Sequence, residues 1–258
     1  MKQAALAILV LALGAQSAAQ AADSDILINQ QRAMQGGITP NDAPGFPITL
    51  AKGGHYKLVG PLKVPRDVQG MYIPVMADGI TIDFNGFEMT GGGTSVGIDS
   101  PRDSVGHYSY VSRLDVRNGT IQNFNLGIGF AEQARIENMR LLNNGRNIDV
   151  RSGARIVGNI TDGGSVNCYL SCLMQGNIVR RGSVLIESGT FIGNTVTTPA
   201  GDIALHGGNF APMGYGNNTI FNENGKDVKI DGGTAGVGPL DPNYCGQHHP
   251  CLAVPSSP

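Results

Sequence analysis

Arg151, Tyr169, Glu187, His206 and Asp231 are spaced by 18, 18, 19 and 25 residues. Each follows a short alternating apolar run: Ile148-Asp-Val150, Val166-Asn-Cys168, Val184-Leu-Ile186, Ile203-Ala-Leu205 and Val228-Lys-Ile230. If those runs are stacked strands, the five side chains form one outward row, with neighbours about 4.8 Å apart. Such a row has usable chemistry. Glu187 and His206 could share a proton in general acid–base work. Arg151 could hold a carboxylate through a two-pronged hydrogen bond. Tyr169 offers a ring face to a pyranose. A second row, two residues earlier, reads Asp99, Gly129, Asp149, Asn167, Leu185, Ala204 and Lys229. The plainer reading of both rows is a solvated face whose opposite charges pair with little net gain.

The four cysteines are a second source of chemistry. Cys245 and Cys251 enclose Gly-Gln-His-His-Pro, and the spacing is too tight for a familiar zinc site. A disulfide is the expectation there, and no metal. Cys168 and Cys172 form a second candidate pair, which needs a turn between them.

The elements that must position these residues repeat. A hexad of apolar residue, two positions, Asn, one position, apolar residue begins at Ile82, Val116, Ile136, Ile156, Met174, Phe191 and Tyr215. The starts lie 17 to 34 residues apart, and the strand runs above keep the same period. A period near 20 is too short for paired-helix repeats. The segments are rich in Val, Ile, Thr and Asn and are cut often by Gly, which argues for short strands. The expectation is an all-β, single-stranded right-handed parallel β-helix of about seven coils, with three strands per coil. Asn85, Asn159, Asn177, Asn194 and Asn218 recur at one hexad position, where Gly119 replaces Asn once. Asn and Gly are the residues that best tolerate a left-handed corner. The column is therefore assigned to the turns and not to a binding site.

The hexads over residues 80–233 resemble those of the pectin-lyase-like superfamily of right-handed parallel β-helices. The segments Ile28–Ala33, Gly37–Pro47, Gly54–Leu58 and Ile80–Phe87 resemble the opening of a group of exported bacterial β-helix proteins of unassigned activity. The superfamily resemblance implies that a polysaccharide would lie across one outer sheet, in a groove walled by loops.

The start of the chain reads as a secretory signal. Lys2 precedes an apolar run from Ala4 to Leu13, and Ala19-Gln20-Ala21 is a small-x-small cleavage site. The run falls short of the ~20 residues that span a bilayer, and no later segment is long and apolar enough. A secreted or periplasmic chain of residues 22–258 follows, without a transmembrane segment. Loss of Lys2 leaves 17 basic against 20 acidic residues, a net charge of −3. That balance gives no basic footprint for nucleic acid. Residues 22–79 are expected to cap the N-terminal end. They include a short helix around 27–34 and strand runs at 46–50 and 55–59. Residues 234–258 are expected to close the other end as a disulfide-stapled tail. A monomer is expected.

Several patterns weigh against catalysis. There is no Asp-Asp pair, Asn-Thr-Asp, Gly-His-Gly or Asp-Pro-His, and His206-Gly207-Gly208 is only a distant echo. The connections at Ser152–Ala154, Asp162–Gly164 and Ser188–Gly189 are short, so the face is shallow. The longest insertions are Pro101–Arg113 and Gly207–Met213. The first carries Asp103, His107, Tyr108 and Tyr110 and is the best lip for a groove. The leading expectation is a non-catalytic protein that binds a glycan or another surface component without a cofactor. The alternative is a polysaccharide lyase, hydrolase or epimerase using Glu187, His206 and Arg151, with Ca2+ only in the lyase case. A further alternative is a structural protein that assembles through its ends or flat faces.

Overall fold

The computed structural model describes residues 25–65, 70–101, 111–199, 203–207, 213–222, 228–230, 238–239, 243–245 and 253–255. Every strand pairing among them is parallel. The chain is an all-β solenoid, as its two phased patterns imply. About five full coils stack between Asp115 and Gly207, against the seven expected. Pairing continues past them at both ends, so one sheet counts nine strands from Met71–Pro74 to Ala253–Pro255. The other two faces merge into a single seventeen-stranded sheet, because Asp115–Gln122 and Arg135–Leu142 each run unbroken around the corner between them.

The core follows from alternation within the strands. Ile98, Ile128, Ile148, Val166, Val184, Leu205 and Val228 stack inward on the nine-stranded sheet, each at most 1 % exposed. Val116, Ile136, Ile156, Met174 and Phe191 do the same on the second face.

The asparagine column is structural, but beyond Asn85, whose φ is 51°, it is not the left-handed position. Left-handed φ falls one residue earlier, at Asn118 (61°), Asn138 (54°), Gly158 (65°), Gly176 (63°), Gly193 (64°) and Asn217 (53°). That turn aims the following side chain into the core. Asn159, Asn177, Asn194, Asn218 and Asn243 are therefore buried and form a ladder. Each Nδ2 donates to a carbonyl of the preceding coil, such as Asn177 to Ile156 (2.8 Å) and Asn218 to Phe191 (2.9 Å). Each Oδ1 accepts the backbone N–H of the column residue before it, from Met139 to Asn218 (2.8–3.1 Å). The corner breaks the main-chain ladder, and the amide side chains replace the lost partners.

Gly119 is likewise not left-handed. A Cβ there would lie 2.1 Å from the Cβ of Phe84, whose ring fills the column above it. The first hexad also carries two extra residues, because Met89, not Phe87, pairs with Ile121.

The segment expected as a cap joins the sheets. Gly54–Leu58, Leu62–Lys63 and Met71–Pro74 pair in register with the next coil. Its helix spans Gln30–Gln35, with the Asn29 side chain accepting from the Arg32 N–H (2.9 Å). The 46–50 run contributes only an isolated bridge, Leu50 to Val75.

Candidate functional site

The outer side of the nine-stranded sheet carries the row from Asp99 to Lys229 nearly as the repeat implied. Asp99, Gly129, Asp149, Asn167 and Leu185 are register partners in sequence or share the rung of a paired neighbour. One member differs. His206, not Ala204, pairs with Leu185, and Lys229 pairs with His206. Gly207 lies inward opposite Ile186, and a Cβ there would meet the Met213 sulfur at 2.3 Å. Ala204 is buried at the corner.

Arg151, Tyr169 and Glu187 keep their common row, one residue beyond the paired Val150, Cys168 and Ile186. His206 leaves it and sits diagonally from Glu187, roughly 8 Å away by strand spacing and rise. Glu187 and His206 are thus neighbours without being stacked. Asp231 lies outside the described residues, as do the side chain of Lys229 and the lip residues Asp103, His107, Tyr108 and Tyr110.

Arg151 is the best-positioned group of the row. Its guanidinium carbon stands 4.5 Å from the Tyr169 ring centroid and 5.3 Å from that of Phe130. Both aromatic faces attract the cation and limit its motion. One face of Tyr169 is therefore already covered by the guanidinium. Asp149 is fully buried beside this pair, and its Oδ2 accepts from Arg146 Nη1. Burial first, then the Asp149 carboxylate, pushes the Tyr169 phenol up. Burial pushes the Glu187 carboxyl up, against the opposing pull of Arg151 and His206. The resulting cluster has a fixed cation, two carboxylates and an imidazole on one flat face.

A cavity of about 530 Å³ opens on the same face, toward the N-terminal coils. Its polar lining includes Asp99, Ser100 and Arg146, and its apolar lining includes Val96, Leu126 and Phe130. The inward and outward alternation of the strands does not by itself mark this cavity. The usable signal was one extra residue in the strand run: Gly97, Gly127 and Asn147 each precede the inward Ile. The next strand lacks that residue, so the register shifts between Arg146 and Ile148. Such a bulge re-aims the flanking side chains.

Charges on the other faces pair locally. Arg117 Nε lies 3.3 Å from Asp83, Arg135 Nε 2.7 Å from Glu137 and Arg181 Nε 2.6 Å from Asp162. Such partly exposed pairs add little net stability.

Cys168 and Cys172 form a disulfide, which closes the loop that carries Tyr169. The expected Cys245–Cys251 pair lies outside the described side chains. Among the described residues, no group of three or more His, Cys, Asp or Glu is placed to hold a metal ion. None of their helices is long and apolar enough to cross a membrane. No family model, curated protein or solved structure matches the chain.

Proposed function

We propose that the chain is an exported β-helix protein of the pectin-lyase-like kind that binds a glycan on the outer side of its nine-stranded sheet without cleaving it. The observation that carries this reading is Arg151, bracketed by Phe130 and Tyr169 on an open face. A guanidinium has five donors and no acceptor, so it suits the hydroxyl and carboxylate oxygens of a sugar. Holding it against two rings before ligand arrives reduces the ordering cost of binding. Asn167 and Glu187, both half-buried, add polar contacts on the next two rungs. The signal-like start supports export, and the near-balanced charge fits a sugar better than a polyanion.

A second reading has one observation in its favour. The raised Glu187 carboxyl suits a general acid, as a lyase or hydrolase would need.

The test is a glycan array followed by calorimetric titration of the best hits, neutral and uronate-bearing. Arg151→Ala should weaken binding at least tenfold while the circular dichroism spectrum is unchanged. An array without hits removes the proposal. Unsaturated product, seen by ultraviolet absorbance and lost in Glu187→Ala, transfers the site to the enzymatic reading.

A further inference from the structure

We propose that the cavity beside the Arg151 row binds the acetamido group of an N-acetylated amino sugar, and that the Asn125 amide recognises it. The inference rests on the glycan-binding reading and adds which sugars that face prefers.

The cavity is a trough between two outward columns. Outward side chains of a regular strand are two residues apart. Here Val96 and Asp99, Leu126 and Gly129, and Arg146 and Asp149 are three apart, with two buried residues inside each pair. The columns therefore stand about 10 Å apart instead of about 7 Å. Ser165–Cys168 on the next coil returns to simple alternation, so the trough ends at Arg146.

One bank of the trough is apolar. Met71, Val96 and Leu126 are register partners on three successive strands and line the space together. They give a methyl group an apolar surface to leave water for.

The polar group at the mouth is Asn125, exposed and directly before Leu126. Its main-chain N–H donates to the Ser95 carbonyl and its own carbonyl accepts from the Arg146 N–H, both at 2.8 Å. Its side-chain amide has no partner among the described residues. Gly145 keeps that amide clear, since a Cβ there would lie 3.1 Å from Asn125 Oδ1. Arg146 donates to Asp149 and has further N–H groups beyond that bond.

An acetamido group is the complement of this mouth. Its carbonyl accepts from Asn125 Nδ2, its N–H donates to Asn125 Oδ1, and its methyl lies toward Val96 and Leu126. It is uncharged and asks nothing of Asp99, which is buried and already accepts the Ser100 N–H at 2.7 Å. A plain hydroxyl in the same place would leave the apolar bank in water. A largely apolar lining with a few placed polar groups, in a volume of about 530 Å³, is the usual make-up of a small-molecule site.

The experiment titrates residues 22–258 by ligand-observed NMR with N-acetylhexosamines, the matching hexoses, an N-acetylated dipeptide amide, and oligosaccharides with and without N-acetyl groups. N-acetylhexosamines should bind the parent at least tenfold more tightly than hexoses, because a site built around an amide rejects the analogue that lacks it. Asn125→Ala, at an exposed position, should cut that preference to less than threefold. Val96→Phe, which fills the trough, should abolish N-acetylhexosamine binding. The subsite is overturned if the two monosaccharides bind equally or not at all, if the preference survives in Asn125→Ala, or if the dipeptide binds as tightly as the amino sugar. If oligosaccharides still bind in that case and weaken in Arg151→Ala, the glycan-binding reading stands without the subsite. If no sugar binds, both fall. If Val96→Phe does not fold, Asn125→Ala decides alone.

Discussion

At Asn194 one amide side chain replaces several backbone partners. It donates to the Met174 carbonyl (3.0 Å) and accepts from both the N–H (2.9 Å) and the Nδ2 of Asn177 (2.9 Å). Asn194→Ala strands those groups in the core, and a buried unpaired polar group costs about 1–3 kcal/mol. The substitution should lower stability by about 2–4 kcal/mol in urea unfolding. Asn159→Ala should cost less, because among the described residues Oδ1 of Asn159 accepts from Met139 alone. Two glutamates should respond to pH with opposite signs. The Glu187 carboxyl is raised in the fold, so its contribution is complete below the unfolded value near 4.5 and is lost as pH rises through the folded value. Glu187→Gln should therefore gain on the parent between acid and neutral pH. Glu137 is lowered, first by its hydrogen bond to Arg135, so its contribution holds above the ordinary value and fades as pH falls. Glu137→Gln should lose at neutral pH and converge with the parent in acid. Unfolding midpoints across a pH series check both. The asparagines were legible as structural because their spacing matched the coils. Which residue took the left-handed turn was not legible, since Asn and Gly occupy both neighbouring positions.

The Cys168–Cys172 bridge shows how one element positions the site. Both cysteines are buried at the corner after Ser165–Cys168, with Tyr169 between them. Gly189 lets the next strand approach the Cys172 backbone: a Cβ there would lie 2.0 Å from the Cys172 carbonyl oxygen. Closing so small a loop stabilises by about 2 kcal/mol in the chain-entropy account. The double variant Cys168→Ala/Cys172→Ala should lose about that much in denaturant unfolding. It should also weaken glycan binding severalfold, because Tyr169 would no longer be held against Arg151. Strand register shows the limit of reading an element from its residues. Ile203-Ala-Leu205 and Leu205-His-Gly207 both alternate acceptably, and they differ by two positions. The observed register is the second, with Gly207 opposite Ile186 and Met213 packed over it, and no local pattern contains that information.

Across the whole molecule, each coil touches mainly its neighbours, so stability is close to a sum of coil and interface terms. Asn194→Ala should therefore raise amide exchange in 172–222 while 54–58 and 80–83 stay protected, as native-state hydrogen exchange read by mass spectrometry would show. Uniform loss of protection would mean that the solenoid opens as one unit. The sequence by itself determined the solenoid, its period, the inward apolar columns and the structural role of the asparagines. These depend on alternation and spacing along the chain, and parallel stacking carries them unchanged from coil to coil. Only the tertiary structure decided the members of the outward rows, the bracketing of Arg151 and the cavity behind Phe130. Each of these depends on contacts between coils: a glycine that lets a neighbour approach, a bulge that turns two residues inward, and a disulfide at a corner. Among the described residues of the row from Arg151 to Asp231, Arg151, Tyr169 and Glu187 gather with Asp149 into a compact cluster, and His206 sits on the diagonal.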